Sequence, residues 1–201
     1  MATKSKLKLV GFKKLKNILD PKKFERRAKK HIGQATLNNG LIAEGKIKEG
    51  INKGKVPGRG KTNADLTIAI KGSDRPLVDS GELVKSINSE VQSWKLVFIG
   101  VNRNRTVTDE NGKKRGILTI AQNLHDGAEI KVTAKMRRFF FWMAFDKESP
   151  FRGVVKPLKA TTKKIIIPPR PFLHLALTDR LVKRYTNNWN KAVRKVMRGE
   201  N

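Results

Sequence analysis

The chain has 201 residues and a formal net charge of +28, which indicates a negatively charged partner: nucleic acid, an anionic membrane or an acidic protein surface. It contains no cysteine, so disulfides, thiolate metal sites and a cysteine nucleophile are excluded. No run of about 18 apolar residues occurs and the basic N-terminus has no apolar segment, so neither a membrane-spanning helix nor a secretory signal is expected.

The basic residues are concentrated in the two outer thirds of the chain. Residues 1–61 carry 18 Lys and Arg against four Asp and Glu, and residues 129–201 carry 18 against five. Residues 62–128 carry nine against eight. A nearly neutral middle argues against a uniformly basic nucleic-acid coat and favours an ordinary domain with cationic surfaces.

The N-terminal part predicts a basic arm followed by a long helix. Residues 1–20 alternate apolar residues with lysines, which is typical of either a free arm or a short segment that docks on a neighbour. Asp20 and Pro21 have the pattern of an N-cap and a first helical residue. Apolar residues then recur at helical spacing, so we predict a helix over 21–53, with a break near 38–40 as an alternative. Its many Lys and Arg form either a solvated face or a surface for an acidic partner.

The middle of the chain predicts short elements. Residues 64–71 favour a short helix and residues 75–78 an extended segment. Asp79 or Ser80 is the expected cap of the next short helix. Residues 87–91 and 95–101 have the pattern of two strands joined by a tight turn.

Residues 102–116 are polar, and Asn111-Gly112 is a strong turn signal. We expect an exposed loop or hairpin tip there. It carries the residues proposed to contact a partner or DNA, namely Arg103, Arg105, Lys113, Lys114 and Arg115.

The C-terminal part predicts further short elements and a final helix. The pattern indicates a helix over 117–124 that ends before Gly127 and a strand over 129–133. A second strand is expected near 164–167 and the last helix over about 173–197. Residues 136–145 contain a bunched set of aromatic residues. Core packing is the favoured interpretation, because aromatics that stack on nucleobases usually alternate with charged residues and these are bunched. A platform for stacking nucleobases is the alternative.

A search for catalytic or metal-binding patterns finds no candidate. The three histidines are far apart in sequence, and none has the spacing of a zinc site. His125 and Asp126 are adjacent, so their side chains are expected to point apart, with His125 bonded to backbone at a helix end. No nucleophile-elbow motif and no carboxylate pair suited to a glycosidase is found. We therefore expect no enzyme activity, cofactor or metal.

Three segments in this order, 75–87, 121–139 and 165–173, together resemble the tail-completion, or virion morphogenesis, family of tailed bacteriophages. The match covers about 75–197, and it departs from the family at Ser80, at Ala134 and in the long loop 102–116. The motif residues for which the resemblance implies structural roles are Leu77, Asp79, Gly81, Leu83, His125, Gly127, Met136, Pro168, Arg170, Pro171 and Phe172.

The resemblance and the patterns together predict an α+β fold. A small, mainly antiparallel sheet would pack against long N- and C-terminal helices, in a single domain over 21–201 after a basic arm over 1–20. The resemblance implies a homo-oligomeric ring, expected as a hexamer, at the head-proximal end of the tail. It would be a tail terminator or a neck protein that contacts tail-tube and head-connector proteins, assembled in the host cytoplasm and located in the virion.

Three kinds of partner or activity remain as alternatives. Acidic neighbours are favoured over DNA in the lumen, because many phosphate contacts would hold DNA tightly and oppose its passage. A basic nucleic-acid-binding protein is the second hypothesis, although no known binding motif is present. A virion enzyme such as a cell-wall hydrolase is the third.

Overall fold

The computed structural model describes residues 12–57, 67–68, 77, 81–108 and 112–200. The strands are β1 (Ile87–Ser93), β2 (Leu96–Val101), β3 (Thr106–Thr108), β4 (Lys114–Gly116), β5 (Ala128–Lys131) and β6 (Lys164–Ile167). The helices are α1 (Phe12–Leu19), α2 (Pro21–Asn52), α3 (Glu82–Ser86), α4 (Ile117–Asp126), α5 (Ala134–Phe145), a 3-10 helix (Phe172–Ala176) and α6 (Asp179–Met197). The predicted α+β class is confirmed.

The strands form three two-stranded pairs within the described part of the chain: β1 with β2, β3 with β4, and β5 with β6. The four predicted strands are all present, but they do not join into one small sheet. The last pair is antiparallel, with Ala128 opposite Ile167 and Lys131 opposite Lys164. The chain between the paired strands β5 and β6 contains α5, so this pair depends on a long-range contact.

The described residues divide into two compact units, where a single domain over 21–201 was expected. Unit 1 contains the described residues up to Ile42, together with Ser89–Phe98 and those from Asp179 onward. Unit 2 contains the described residues of Ala43–Asn88 and Ile99–Thr178.

Helix α2 begins where the sequence predicts. The Asp20 carboxylate accepts a hydrogen bond from the Lys23 backbone N–H at 2.9 Å, and that bond lowers the pKa of the Asp20 carboxyl group. The helix continues without a break through residues 38–40. A Cβ at Gly40 would lie 2.6 Å from Cγ2 of Val97, so this glycine permits close packing against the β1–β2 hairpin.

The interior of unit 1 contains a hydrogen-bonded polar network. The fully buried Thr36 hydroxyl donates to the Trp94 carbonyl at 3.0 Å and accepts from the Trp189 indole at 3.2 Å. Buried Asn39 donates to the Tyr185 carbonyl at 3.2 Å and accepts from the Asn188 amide at 2.8 Å. These bonds tie α2 both to the hairpin turn and to α6.

Replacing Thr36 with valine should destabilise unit 1 by about 1–3 kcal/mol. Valine has a similar shape, but it leaves the Trp94 carbonyl and the Trp189 indole without their shared partner, and unsatisfied groups cost about this much. Chemical denaturation measures the change. Thr186→Val is the matched control, because the Thr186 hydroxyl is exposed and donates to the Val182 carbonyl of its own helix. Equal stability of the two variants would contradict the role given to Thr36.

The predicted last helix is wrong at its start. Residues Phe172–Ala176 form the 3-10 helix, and α6 begins only at Asp179. Leu177 and Leu181 have the four-residue spacing of one helix face, but Leu177 is 65% exposed, whereas Leu181 is 8% exposed. The error arises because apolar spacing happens to continue across two separate helices.

Unit 2 has its buried apolar residues on the C-terminal part of α2 and on several short elements. The least exposed include Ile47, Ile51, Ile87, Ile117, Met143 and Phe172. Gly50 allows the Leu175 side chain to approach, because a Cβ there would lie 2.5 Å from Leu175 Cδ1. Helix α3 packs against α4 and leads directly into β1.

The start of α3 differs from the prediction. Gly81 occupies the N-cap position with φ of 77°, and no side chain caps the helix. Because Gly81 has a positive φ, the chain turns immediately before Glu82. The cap position therefore lies one residue after Ser80, the later of the two expected caps. Leu77, expected to be extended, is buried with φ of 65°, a left-handed conformation that is uncommon for residues other than glycine.

Some predictions fall outside the described residues. These are the arm over residues 1–11, the short helix over 64–71 except for residues 67–68, and the extended segment 75–78 except for Leu77. Asp79 and Ser80 also lie outside them. Of the predicted arm, residues Phe12–Leu19 form helix α1. No helix in the described residues is long and apolar enough to cross a membrane.

Candidate interaction surfaces

The β3–β4 hairpin gathers the basic residues predicted to contact a partner. In its antiparallel register Val107 lies opposite Arg115 and Thr108 opposite Lys114, which confirms the predicted hairpin. The side chains of all five predicted contact residues are exposed: Arg103, Arg105, Lys113, Lys114 and Arg115. All five residues lie in or directly beside this hairpin of unit 2.

Arg105, one of these basic residues, lies close to a carboxylate. Arg105 Nη1 lies 3.6 Å from Glu82 Oε2, and Lys85 Nζ lies 2.8 Å from Glu82 Oε1. The hydrogen bond from Lys85, more than the charge of Arg105, lowers the pKa of the Glu82 carboxyl group. An exposed ion pair of this kind is weak, so Arg105 could exchange Glu82 for another anion.

The second and third motif segments meet at the junction of α4, β5 and β6. Gly127 has φ of 83°, and a Cβ on it would lie 2.8 Å from the Ile167 carbonyl oxygen. The Arg170 N–H donates to the Leu124 carbonyl at 2.9 Å, and burial lowers the pKa of the Arg170 guanidinium. The motif residues at this junction are His125, Gly127, Pro168, Arg170, Pro171 and Phe172. They shape the turn from helix to strand and the entry into the 3-10 helix.

His125 differs from its prediction. Its Nδ1 lies 2.8 Å from Asp126 Oδ1, although adjacent side chains were expected to point apart. The ring also meets Phe172 edge-on, with centroids 5.4 Å apart, and His174, with centroids 5.6 Å apart. The sequence places these histidines far apart, and the β5–β6 pairing brings them together. His125 Nε2 is buried without a hydrogen-bond partner among the described residues.

The imidazole rings of His125 and His174 are in contact, with a carboxylate from Asp126 beside His125. Among the described residues, no group of three or more His, Cys, Asp or Glu could hold a metal ion. We interpret the His125 cluster as packing at the junction.

Helix α5 presents an aromatic face to solvent. Phe139, Phe141, Trp142 and Phe145 are 50, 61, 44 and 55% exposed. At about 100° per residue, they span roughly 160° of the helix, whereas Met143 and Ala144 point into the protein. The predicted core role of the aromatics is therefore wrong for these four side chains, since hydrophobic composition alone does not reveal which helix face is covered.

Hydrogen bonds near the start of α5 hold the helix, and with it the aromatic face, in place. Thr133 caps α5 by accepting from the Met136 N–H at 3.2 Å. Arg137 donates to the carbonyls of Lys159 and Thr162 at 2.8 and 2.5 Å. Motif residue Met136 thus acts through its backbone, and Arg137, at the edge of the aromatic face one turn before Phe141, ties α5 to the segment that carries Lys159 and Thr162.

Within the aromatic face the rings form two pairs. The Phe139 and Trp142 rings are stacked with centroids 6.4 Å apart, and those of Phe141 and Phe145 lie 4.8 Å apart. Large contiguous apolar patches on monomers commonly mark sites of protein association. The aromatic face of α5 is therefore the strongest candidate for an interface in unit 2.

Comparisons of the chain with protein-family models, with curated proteins and with solved structures found no match.

Proposed function

We propose that this protein is a structural component of a tailed-bacteriophage virion. It acts in tail completion or at the neck, as a subunit of a homo-oligomeric ring. It works by shape and binding, without turnover of a substrate. The proposal draws on the three sequence segments that resemble the tail-completion family and on the exposed aromatic face of α5.

The aromatic face is the observation that carries the proposal. Aromatic residues are enriched in protein interfaces, and they often provide most of the binding energy. Four of them on one short, anchored helix are costly to leave in water, because each large side chain gains roughly 1.5–3 kcal/mol when it is buried. A second copy that covers the face would remove this cost.

A ring requires two different surfaces on each subunit. In a head-to-tail ring, one patch of each copy binds a different patch of the next copy. The aromatic face of α5 would supply one of these patches. The cationic β3–β4 hairpin is available for the acidic neighbours in the tail or the connector, because its basic side chains are exposed.

The combined variant Phe141→Ser and Phe145→Ser should weaken self-association by at least tenfold. Truncating a buried aromatic at an interface commonly costs 2 kcal/mol or more, and about 1.4 kcal/mol corresponds to a factor of ten. Analytical ultracentrifugation over a range of concentrations measures the association, and circular dichroism checks the fold. Leu96→Ser is the control, since Leu96 is 54% exposed and lies on β2.

Three results would contradict this assignment. They are a wild-type protein that stays monomeric at all concentrations, a double variant that assembles as well as the wild type, and an equal loss in the Leu96 control. The first would remove the support for a ring. The other two would move the interface away from α5.

The role in the virion is tested by electron microscopy of lysates from a phage that lacks this gene. Filled heads beside separate tails of normal length would support a joining role, and tails of abnormal length would support a terminator. Empty heads would indicate DNA handling instead. Intact infectious particles would refute the proposal.

A nucleic-acid-binding protein is the second candidate, and one observation favours it. Lys135 and Arg138 are exposed and fall within the same arc of α5 as the aromatic residues. Aromatic rings combined with cations can bind single strands by stacking and charge. Loss of affinity at high salt would not distinguish the candidates, because any strongly basic protein shows it. A preference for a particular sequence or for single strands, abolished by Phe141→Ser, would favour this alternative.

A further inference from the structure

A concave cleft lies between α2 and α6 within unit 1. Its volume is about 490 Å³, within the range of ligand-binding pockets. Helix α6 contributes Arg184, Lys191 and Lys195 to its lining, and α2 contributes Gln34 and Asn38. No Asp or Glu occurs among the residues that line it.

The three cations of the cleft belong to one face of α6. Their spacing of seven and four residues places them within about 40° of one another around the helix. In the described part of the chain, none of them has an ion-pair partner. A cluster of like charges in a recess attracts anions more strongly than the same charges spread over a convex surface.

Several lysines of α2 that lie outside the cleft do have carboxylate partners. Lys29 pairs with Glu25 in unit 1. In unit 2, Lys46 and Lys53 both pair with Glu49, and their hydrogen bonds lower the pKa of the Glu49 carboxyl group to about 2. Carboxylates therefore balance the lysines at those positions, whereas the cleft lacks them.

Hydrogen bonds join the two helices that form the cleft walls. Asn188 lines the cleft and donates to Asn39 on α2 at 2.8 Å. Buried Ala35 and Ala192, both small, contribute apolar surface to the lining. His31 Nε2 lies 3.0 Å from the Glu200 carbonyl oxygen, which links α2 to the segment after α6. These bonds fix the backbone of the two walls relative to each other, which reduces the part of the ordering cost that falls on the backbone when a ligand binds.

We propose that this cleft binds an acidic peptide segment of a partner protein. The three cations would pair with Asp or Glu side chains. The amides of Gln34 and Asn38 can donate to carboxylates or to peptide carbonyls, and Ala35, Leu41 and Ala192 offer apolar surface for the peptide. Nothing in this inference depends on the ring or on the aromatic face of α5.

The shape of the cleft favours a peptide over duplex DNA. The major groove of B-DNA accepts a protruding helix or ribbon, whereas this site is a recess between two helices. An apolar lining also suits a peptide better than a row of phosphates, which are recognised mainly by Lys and Arg and other hydrogen-bond donors. The described residues of unit 1 carry 17 Lys and Arg against five Asp and Glu, so weak nonspecific DNA binding is expected over its whole surface.

The test uses the full chain and a fluorescent oligoglutamate peptide. Fluorescence anisotropy measures its affinity for the wild type, for Lys191→Glu combined with Lys195→Glu, and for Lys183→Glu combined with Arg194→Glu. The last variant is the matched control, because it reverses the same number of charges on α6 outside the cleft. We expect the cleft variant to bind at least tenfold more weakly than the control.

A milder variant and a second measurement distinguish a loss of binding from a loss of the fold. Lys191→Gln combined with Lys195→Gln should reduce affinity by a smaller factor and leave the circular dichroism spectrum unchanged. In NMR spectra of the wild type, the side-chain amides of Gln34, Asn38 and Asn188 should shift when the peptide is added.

Three outcomes would overturn the proposal. The first is an equal loss of affinity in the cleft and control variants, which would show nonspecific attraction to a basic surface. The second is a cleft variant that loses affinity for a DNA duplex more than for the peptide, which would make the cleft a nucleic-acid site. The third is peptide-induced shifts that leave the three amides unchanged.

Discussion

Replacing Phe172 with alanine is expected to lower the free energy of unfolding of unit 2 by about 3–5 kcal/mol. Phe172 is 1% exposed, and its ring meets that of His125 edge-on. Removing the ring leaves a cavity that the rigid junction around Gly127 and Arg170 cannot easily fill. The loss therefore includes both the transfer energy of the side chain and the cost of the cavity.

Urea denaturation provides the measurement for Phe172→Ala. The midpoint should fall while the slope with denaturant stays unchanged, as expected for a loss of stability alone. Leu177→Ala is the control, since Leu177 is 65% exposed and should change stability by no more than about 0.5 kcal/mol. Similar midpoints for the two variants would show that the site of Phe172 is not a packed core position.

Gly127→Ala should also be strongly destabilising, by about 3 kcal/mol. Its φ of 83° and ψ of 165° lie in a region that is essentially restricted to glycine, and placing alanine there costs about 1–3 kcal/mol. The new Cβ would also lie 2.8 Å from the Ile167 carbonyl oxygen and 3.0 Å from the Pro169 nitrogen. Because both neighbours are backbone atoms of the β6 exit, they can move only if the junction deforms.

Comparison with Gly153→Ala separates the cost of the backbone conformation from the cost of the close contacts in Gly127→Ala. Gly153 has φ of 82°, and no atom lies within 4 Å of a Cβ built there. Thermal unfolding of the two alanine variants should thus show a smaller loss for Gly153, which reflects the backbone conformation alone. If both variants lose the same stability, close approach to β6 has no energetic importance.

The sequence predicts elements whose signals are local. The Asp20 cap and the following proline locate the start of α2, because the bonds involved span only three or four residues. The turn between β1 and β2 and the β3–β4 hairpin are predicted from similar short-range patterns. The left-handed Gly127 is also foreseeable, since glycine is the residue that most readily adopts that conformation.

Features that depend on distant contacts are not predicted. The approach of His125 to His174 requires β5 to pair with β6, and the break at Leu177 results from tertiary packing rather than from apolar spacing. The solvent-facing side of α5 is also unpredictable from composition, because Phe141 and Met143 are both apolar but only Met143 is covered. The cleft between α2 and α6 combines residues more than 140 positions apart, so no sequence window contains it.

The polar network of unit 1 has a consequence for the order of events during synthesis. The bond between Asn39 and the Tyr185 carbonyl spans 146 residues, and that between Trp189 and Thr36 spans 153. While the ribosome is still translating unit 2, α2 has emerged but has no α6 to pair with. The bonds from Thr36 and Asn39 to α6 therefore cannot form in the nascent chain until α6 has been synthesised. In a chain truncated before α6, Asn39 would bond to water instead, and the apolar surface that α6 covers would stay exposed, a feature of incompletely folded chains that chaperones recognise.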